Sequence, residues 1–134
     1  MLGIYHQVLI KADPERVFQM LTESNGLNSW WTIKSSGRAE LGSCYRFYFS
    51  DEYDWRAEVD QVQQGISISW RFTVADEDWT STLLKFVLIP EGRNATLLQL
   101  DHTNWRERNQ HFRRTSYCWV LYLEKLRQLL EHEI

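Results

Sequence analysis

The sequence predicts an α+β fold, a curved antiparallel β-sheet of about six to seven strands wrapped around a long C-terminal α-helix, with two short helices after the first strand. Three observations carry this prediction. Apolar residues recur with a period of two from Ser36 to Thr103, in runs separated by turn residues and with no crossover helix among them. Gln110 to His132 carries Phe112, Thr115, Trp119, Tyr122, Leu126, Leu129 and Leu130 at helical spacing, between Arg, Glu and Gln. A sheet with so many apolar positions on one face must cover them, and this last helix is the only element long enough to do so.

The elements follow in order. Ile4, His6, Val8 and Ile10 alternate with Tyr5, Gln7, Leu9 and Lys11, which reads as a first strand ending at Asp13-Pro14. Asp13 is a good N-cap and Pro14 a good first helical residue, so Val17, Phe18 and Leu21 form the stripe of a short helix. Ser24-Asn25-Gly26 breaks that helix, and a second runs from about Ser24 or Gly26 to Trp30, carrying Leu27, Trp30 and Trp31. Tyr45, Phe47 and Phe49 share one strand face; Ile66, Ile68, Trp70, Phe72 and Val74 share another. Between them, Arg56 to Val62 is a strand in which Val59 and Val62 differ in parity, so burying both requires a bulge near Asp60 or Gln61. Leu84, Phe86 and Leu88 lead into the turn Pro90-Glu91-Gly92-Arg93-Asn94, and Thr96, Leu98, Leu100 and His102 return from it. The whole chain, 1–134, reads as one domain with neither repeat nor linker.

Composition narrows the function classes. The 43% hydrophobic content is too high for an intrinsically disordered chain, and a net charge of −3 without a basic stripe argues against a nucleic-acid partner. No apolar run approaches the roughly 20 residues of a membrane helix, so membrane insertion is not expected. The start, Met1-Leu2-Gly3-Ile4-Tyr5-His6, lacks the basic and apolar regions of a signal peptide, which places the protein in the cytoplasm as an expectation. There Cys44 and Cys118 remain thiols, and the sequon Asn94-Ala95-Thr96 meets no glycosylating enzyme. His6, His102, His111 and His132 lack metal-site spacing, and no phosphate-binding glycine loop or nucleophile elbow is present, so neither a metal nor a cofactor is expected.

Four stretches carry a family resemblance. Ala12-Asp13-Pro14-Glu15-Arg16-Val17-Phe18 through Leu21-Thr22-Glu23 to Leu27-Asn28-Ser29-Trp30-Trp31, and Leu41-Gly42-Ser43-Cys44-Tyr45-Arg46-Phe47, are the more specific pair. Asn94-Ala95-Thr96-Leu97-Leu98-Gln99-Leu100-Asp101-His102 and Trp119 to Leu130 are the looser pair. Together they resemble the helix-grip superfamily of START lipid-transfer domains, aromatic polyketide cyclases and plant pollen allergens. Within it, the chain resembles the branch of the C-terminal domain of the activator of heat-shock protein 90 ATPase. Ser43 stands where that pattern usually has glycine, and Tyr117-Cys118 precedes Trp119 where a glycine is common. The resemblance implies the helix-grip fold and a cavity between sheet and helix. It does not transfer a ligand, because pockets in this superfamily differ widely.

By strand parity Tyr45, Phe47, Phe49, Ile68, Trp70, Phe72, Leu84, Phe86, Leu98, Leu100 and His102 face the helix, with Trp119 and Tyr122 opposite. With Trp30 they form either packed core or the wall of a ligand cavity. Trp30 and Trp31 either gate the cavity mouth or pin their helix to the sheet, and pinning is the commoner use of such a pair. His102 is titratable in an apolar strand; it is either structurally hydrogen-bonded or an acid or base awaiting a second polar group. The arginines from Trp105 to Arg114 lie near the start of the long helix, where Asp101 or Glu107 is the expected carboxylate partner. The preferred reading is a binder of an apolar or amphipathic small molecule. The alternative is a cochaperone-like or homodimeric interaction module, with Trp55, Trp79 or Trp105 exposed in a seam. The third is a polyketide-cyclase-like enzyme with His102 in an open pocket.

Overall fold

The computed structural model describes residues 2–132; Met1, at the head of the stretch read for a leader, and Glu133 and Ile134 at the end of the chain lie outside the described residues. Strand β1 (Leu2–Ile10) leads into helices α1 (Pro14–Thr22) and α2 (Ser24–Trp30). Then come β2 (Lys34–Ser36), β3 (Cys44–Ser50), β4 (Tyr53–Gln63), β5 (Ser67–Val74), β6 (Leu83–Pro90) and β7 (Thr96–Trp105), followed by α3 (Gln110–His132). The strands form one antiparallel sheet of order β1-β7-β6-β5-β4-β3-β2. A curved seven-stranded sheet with a long C-terminal helix and two short helices after the first strand is the architecture predicted.

Local chemistry explains the boundaries. The Asp13 side chain accepts a hydrogen bond from the Arg16 backbone N–H at 3.0 Å, and Pro14 opens α1. The β4–β5 register shifts between Val59 and Gln61, so the bulge demanded by the parity of Val59 and Val62 is present, with Val59 buried and Val62 half-buried. Arg46 lies directly opposite Arg56 in the β3–β4 ladder, and Asp54 bonds both guanidinium groups, which offsets their repulsion. Those two bonds hold the Asp54 carboxyl down to about 2.

Helix α3 buries Thr115, Trp119, Leu123, Leu126 and Leu130. Leu129, read from spacing as part of this stripe, is 36% exposed, and Leu123 takes its place because the buried arc is narrower than the apolar one. The sheet is tied to α3 along β1, where His6 Nε2 lies 3.1 Å from Ser116 Oγ and the Lys11 N–H donates to Glu131 at 2.9 Å. Ile66 and Val74 have the parity of the buried row, yet they sit just before β5 and at its end and are exposed.

The two short helices close one end of the sheet. Tyr45 donates its hydroxyl to the Thr22 carbonyl at 2.8 Å, and burial pushes its phenol well above the ordinary range, with Glu23 adding to the shift. Gly26 lets α2 approach α1, since a Cβ built there would stand 2.5 Å from the Met20 Cα. Gly26→Ala is therefore expected to destabilise the protein by about 1–3 kcal/mol, although alanine is the better helix former, because backbone must shift to admit the methyl group. Urea denaturation measures this; an unchanged or raised midpoint would contradict so close a contact.

Candidate functional site

Most of the aromatic residues predicted to face the helix fill the space between sheet and helix. Tyr45, Phe47, Ile68, Trp70, Phe72, Leu84, Phe86, Leu98, Leu100 and His102 are all at most 1% exposed. Their rings interlock: Tyr45 and Phe47 stack at 5.6 Å, and Phe47 meets Trp70 edge-on at 5.6 Å. Trp30 joins this core, 1% exposed, with its indole N–H donating to the Met20 carbonyl at 2.8 Å. It pins α2, as its helix-end position suggests.

An open space remains at one end of the helix–sheet interface. Trp31, Phe49, Trp55, Trp79 and Trp119 form a closed circuit of rings. Going round it, the centroid separations are 5.5 Å from Trp31 to Phe49, 5.2 Å to Trp55, 4.6 Å to Trp79, 6.0 Å to Trp119 and 5.2 Å back to Trp31. With Tyr53 and Tyr122 these rings wall a bowl of about 360 Å³. Helix α3 supplies His111, Arg114, Thr115, Cys118, Trp119 and Tyr122 from successive turns of one side, and Asp76 stands on the loop between β5 and β6. Of the residues predicted to line the cavity, the structure brings Phe49, Trp119 and Tyr122 to this bowl and leaves the others in the packed core; Trp31, read as a gate or a pin, stands at the bowl while Trp30 is in the core.

The bowl also takes Trp55, which shares the parity of the buried Ala57 and Val59 one step before the strand as read from the sequence, and Trp79, which lies on a loop. Trp55, Trp79 and Trp105, read as exposed on the interaction-module hypothesis, are only 9%, 6% and 4% exposed. The first two are bowl walls and the third packs under His111 and Phe112. Trp79 is carried in by a turn in which the Trp79 and Thr80 N–H groups both donate to the Asp76 carbonyl, and its indole N–H reaches Thr115 Oγ1 at 3.4 Å. A tryptophan alone in an acidic loop, and the i, i+4, i+7 row of His111, Thr115 and Cys118, were the available signals.

His102 lies behind the bowl and fixes its walls. The Trp119 indole N–H donates to His102 Nδ1 at 3.1 Å, so Nδ1 is the acceptor and the proton of the neutral ring sits on Nε2. Nε2 then donates to Thr82 Oγ1 at 2.9 Å, and that hydroxyl donates to the Trp79 carbonyl at 2.6 Å. Every polar atom of the relay is satisfied, and it links two bowl walls, Trp119 and Trp79. Burial, with a smaller contribution from His111, lowers the His102 pKa to about 3. Both ring nitrogens are occupied and the ring is 0% exposed, so His102 has no face free for acid–base work on a ligand.

Charge is confined to the rim. The arginines of the basic segment make no ion pair with Asp101 or Glu107 among the described residues; the carboxylate that meets the segment is Asp78, which accepts from Asn109 at 3.2 Å and lies 3.0 Å from His111 Nδ1, contacts that lower its pKa. The Arg114 guanidinium has no ion pair among the described residues. A larger cleft of about 810 Å³ lies between α1 and the β2–β3 loop, but Glu15, Gln19, Glu23, Arg38, Glu40 and Gln64 give it a mainly polar and charged lining, whereas that of the bowl is mainly apolar. Among the described residues no group of His, Cys, Asp or Glu is placed to hold a metal ion, and no helix is long and apolar enough to cross a membrane.

Comparison with known proteins places this geometry. The family model described as Activator of Hsp90 ATPase homolog 1-like protein matches residues 11–131. Among solved structures, that of the Aha1 dimer from Colwellia psychrerythraea is similar over 98% of both chains, at 30% identity and a TM-score of 0.88. A Mesorhizobium loti protein is similar over 99% of both chains, at 20% identity and a TM-score of 0.86. CalU16 from Micromonospora echinospora is similar over 98% of this chain and 76% of its own, at 18% identity and a TM-score of 0.79, a likeness of fold. No curated protein matches the sequence at a significant level.

Proposed function

The chain belongs to the Activator of Hsp90 ATPase homolog 1-like family, and from that premise we propose that it binds an apolar or amphipathic small molecule in the aromatic bowl between α3 and the β3–β4 hairpin. The observation that carries this reading is the set of five mutually contacting rings that line an unfilled space at the helix–sheet interface. The partly exposed rings of Phe49, Tyr53 and Tyr122 offer stacking surfaces over a floor of nearly covered tryptophans, and Cys118 and Arg114 at one edge suit a polar end group. About 360 Å³ suits a flat molecule of two or three rings.

The test uses N-phenyl-1-naphthylamine, an uncharged naphthalene whose fluorescence rises on leaving water. Wild-type protein is expected to bind it saturably at one site. Cys118→Trp, which fills the bowl from its wall, is expected to weaken binding about tenfold or more, whereas Cys44→Trp on the exposed end of β3 leaves it unchanged. Equal binding by both variants would remove the bowl as the site.

A second reading, a homodimer, has its own support. The Colwellia relative is a dimer in solution, and α3 turns Tyr117, Val120 and Leu121 to solvent at 65%, 46% and 52% exposure. The two readings are compatible, since these residues lie on the side of α3 away from its buried stripe.

A further inference from the structure

We propose that the outer face of α3 is a self-complementary seam that docks antiparallel on the same face of a second copy of this chain. The inference rests on the homodimer reading and assigns it a surface. Arg113, Tyr117, Val120 and Glu124 follow one another at intervals of four, three and four residues, which places them in one straight stripe along the helix, with Leu121 beside it. The middle of the stripe is apolar and exposed. Its ends carry opposite charge. Arg113 makes no ion pair among the described residues, while Glu124 is bonded by Arg127 and its pKa is lowered, so it remains ionised at neutral pH.

That order is self-complementary only in one direction. When two such helices cross antiparallel about a twofold axis, Arg113 of one meets Glu124 of the other and Tyr117 meets Val120, and the symmetry repeats both contacts. A parallel arrangement would set Arg113 against Arg113. Of the other cations near the seam, Arg127 flanks the stripe and bonds Glu124 and Glu131, Arg114 lies beside Tyr117 and Leu121, and Lys125 is on the α2 side of the helix with Asn25, Gly26 and Ser29. The apolar centre supplies the attraction; the exposed charge pairs add little affinity and set orientation. One helix face buries an area at the small end for specific interfaces, below about 1,200 Å² in total, so the dimer forms in a concentration-dependent way.

Sedimentation equilibrium from about 10 µM to about 1 mM covers the range of such an interface. Wild-type protein is expected to shift from monomer to dimer across it. Val120→Asp, at an exposed position, is expected to weaken dimerisation about tenfold or more with unchanged circular dichroism. Arg113→Glu alone weakens it, and Arg113→Glu with Glu124→Arg restores it, a recovery that a surface outside the seam would not show. A dimer indifferent to Val120→Asp and to the charge exchange overturns the seam and leaves the homodimer standing. A chain that stays monomeric to the highest concentration overturns both.

Discussion

Replacing Trp119 with alanine is expected to lower stability by about 3–5 kcal/mol, the range for removing a large buried aromatic. Trp119 is 1% exposed and touches Trp31, Trp79, Phe86 and the ring of His102. Alanine also leaves His102 Nδ1 buried without a donor, a separate penalty of about 1–3 kcal/mol. Trp119→Phe is the intermediate case, because it keeps a six-membered ring in the core while removing the N–H together with the rest of the five-membered ring. The phenylalanine variant is expected to lose about 1–3 kcal/mol and the alanine variant clearly more, read from urea midpoints at a common slope. Equal losses in the two variants would mean that the hydrogen bond, not the packing, dominates at this position. Against a total stability of about 5–15 kcal/mol, the alanine variant gives up a large share of the fold.

The second large effect is on pH dependence. His102 has its folded pKa lowered from 6.5 to about 3, so the unfolded chain takes up a proton first as the solution is acidified. The stabilisation is complete above about 6.5 and is lost as pH falls toward about 3, at about 1.4 kcal/mol per pH unit within that window. Asp54, Asp78 and Glu124, whose pKa values are lowered, act in the same direction only at lower pH, so between about 6.5 and about 5 these carboxylates contribute little and a His102 variant measures the share of that histidine. His102→Gln, able to accept from Trp119 and donate to Thr82, is expected to flatten the slope there while keeping the fold. A slope of the same steepness in that variant would assign the acid sensitivity to another group.

These two effects arise from residues that were legible in the sequence to different degrees. The alternation of Ile68, Trp70 and Phe72 and the spacing along Gln110 to His132 gave the sheet and the helix, because period alone decides which side of an element meets apolar matter. Even the bulge at Asp60 was readable, since two valines of opposite parity cannot both turn to the core without one. How tightly the facing side chains fill the space is a different matter. It depends on the interlocking of Tyr45, Phe47, Trp70, Phe72 and Phe86 in three dimensions, which leaves the middle of the predicted cavity solid. The bowl opens where Trp79 folds inward from a loop and Trp31 caps α2, and neither position belongs to a periodic pattern. Its partner residues on α3, Thr115 and Cys118, were encoded at helical spacing but had no counterpart in the sequence to show what they face.

The binding claim has a direct test in the amide proton–nitrogen spectrum of the protein titrated with N-phenyl-1-naphthylamine. Saturable shifts are expected at Trp31, from Phe49 to Trp55, from Asp76 to Trp79 and along α3 from His111 to Tyr122, the segments that wall the bowl. Shifts confined to the charged cleft of Glu15, Glu23, Arg38 and Glu40, or the absence of any saturable shift, would contradict a ligand site at the aromatic bowl.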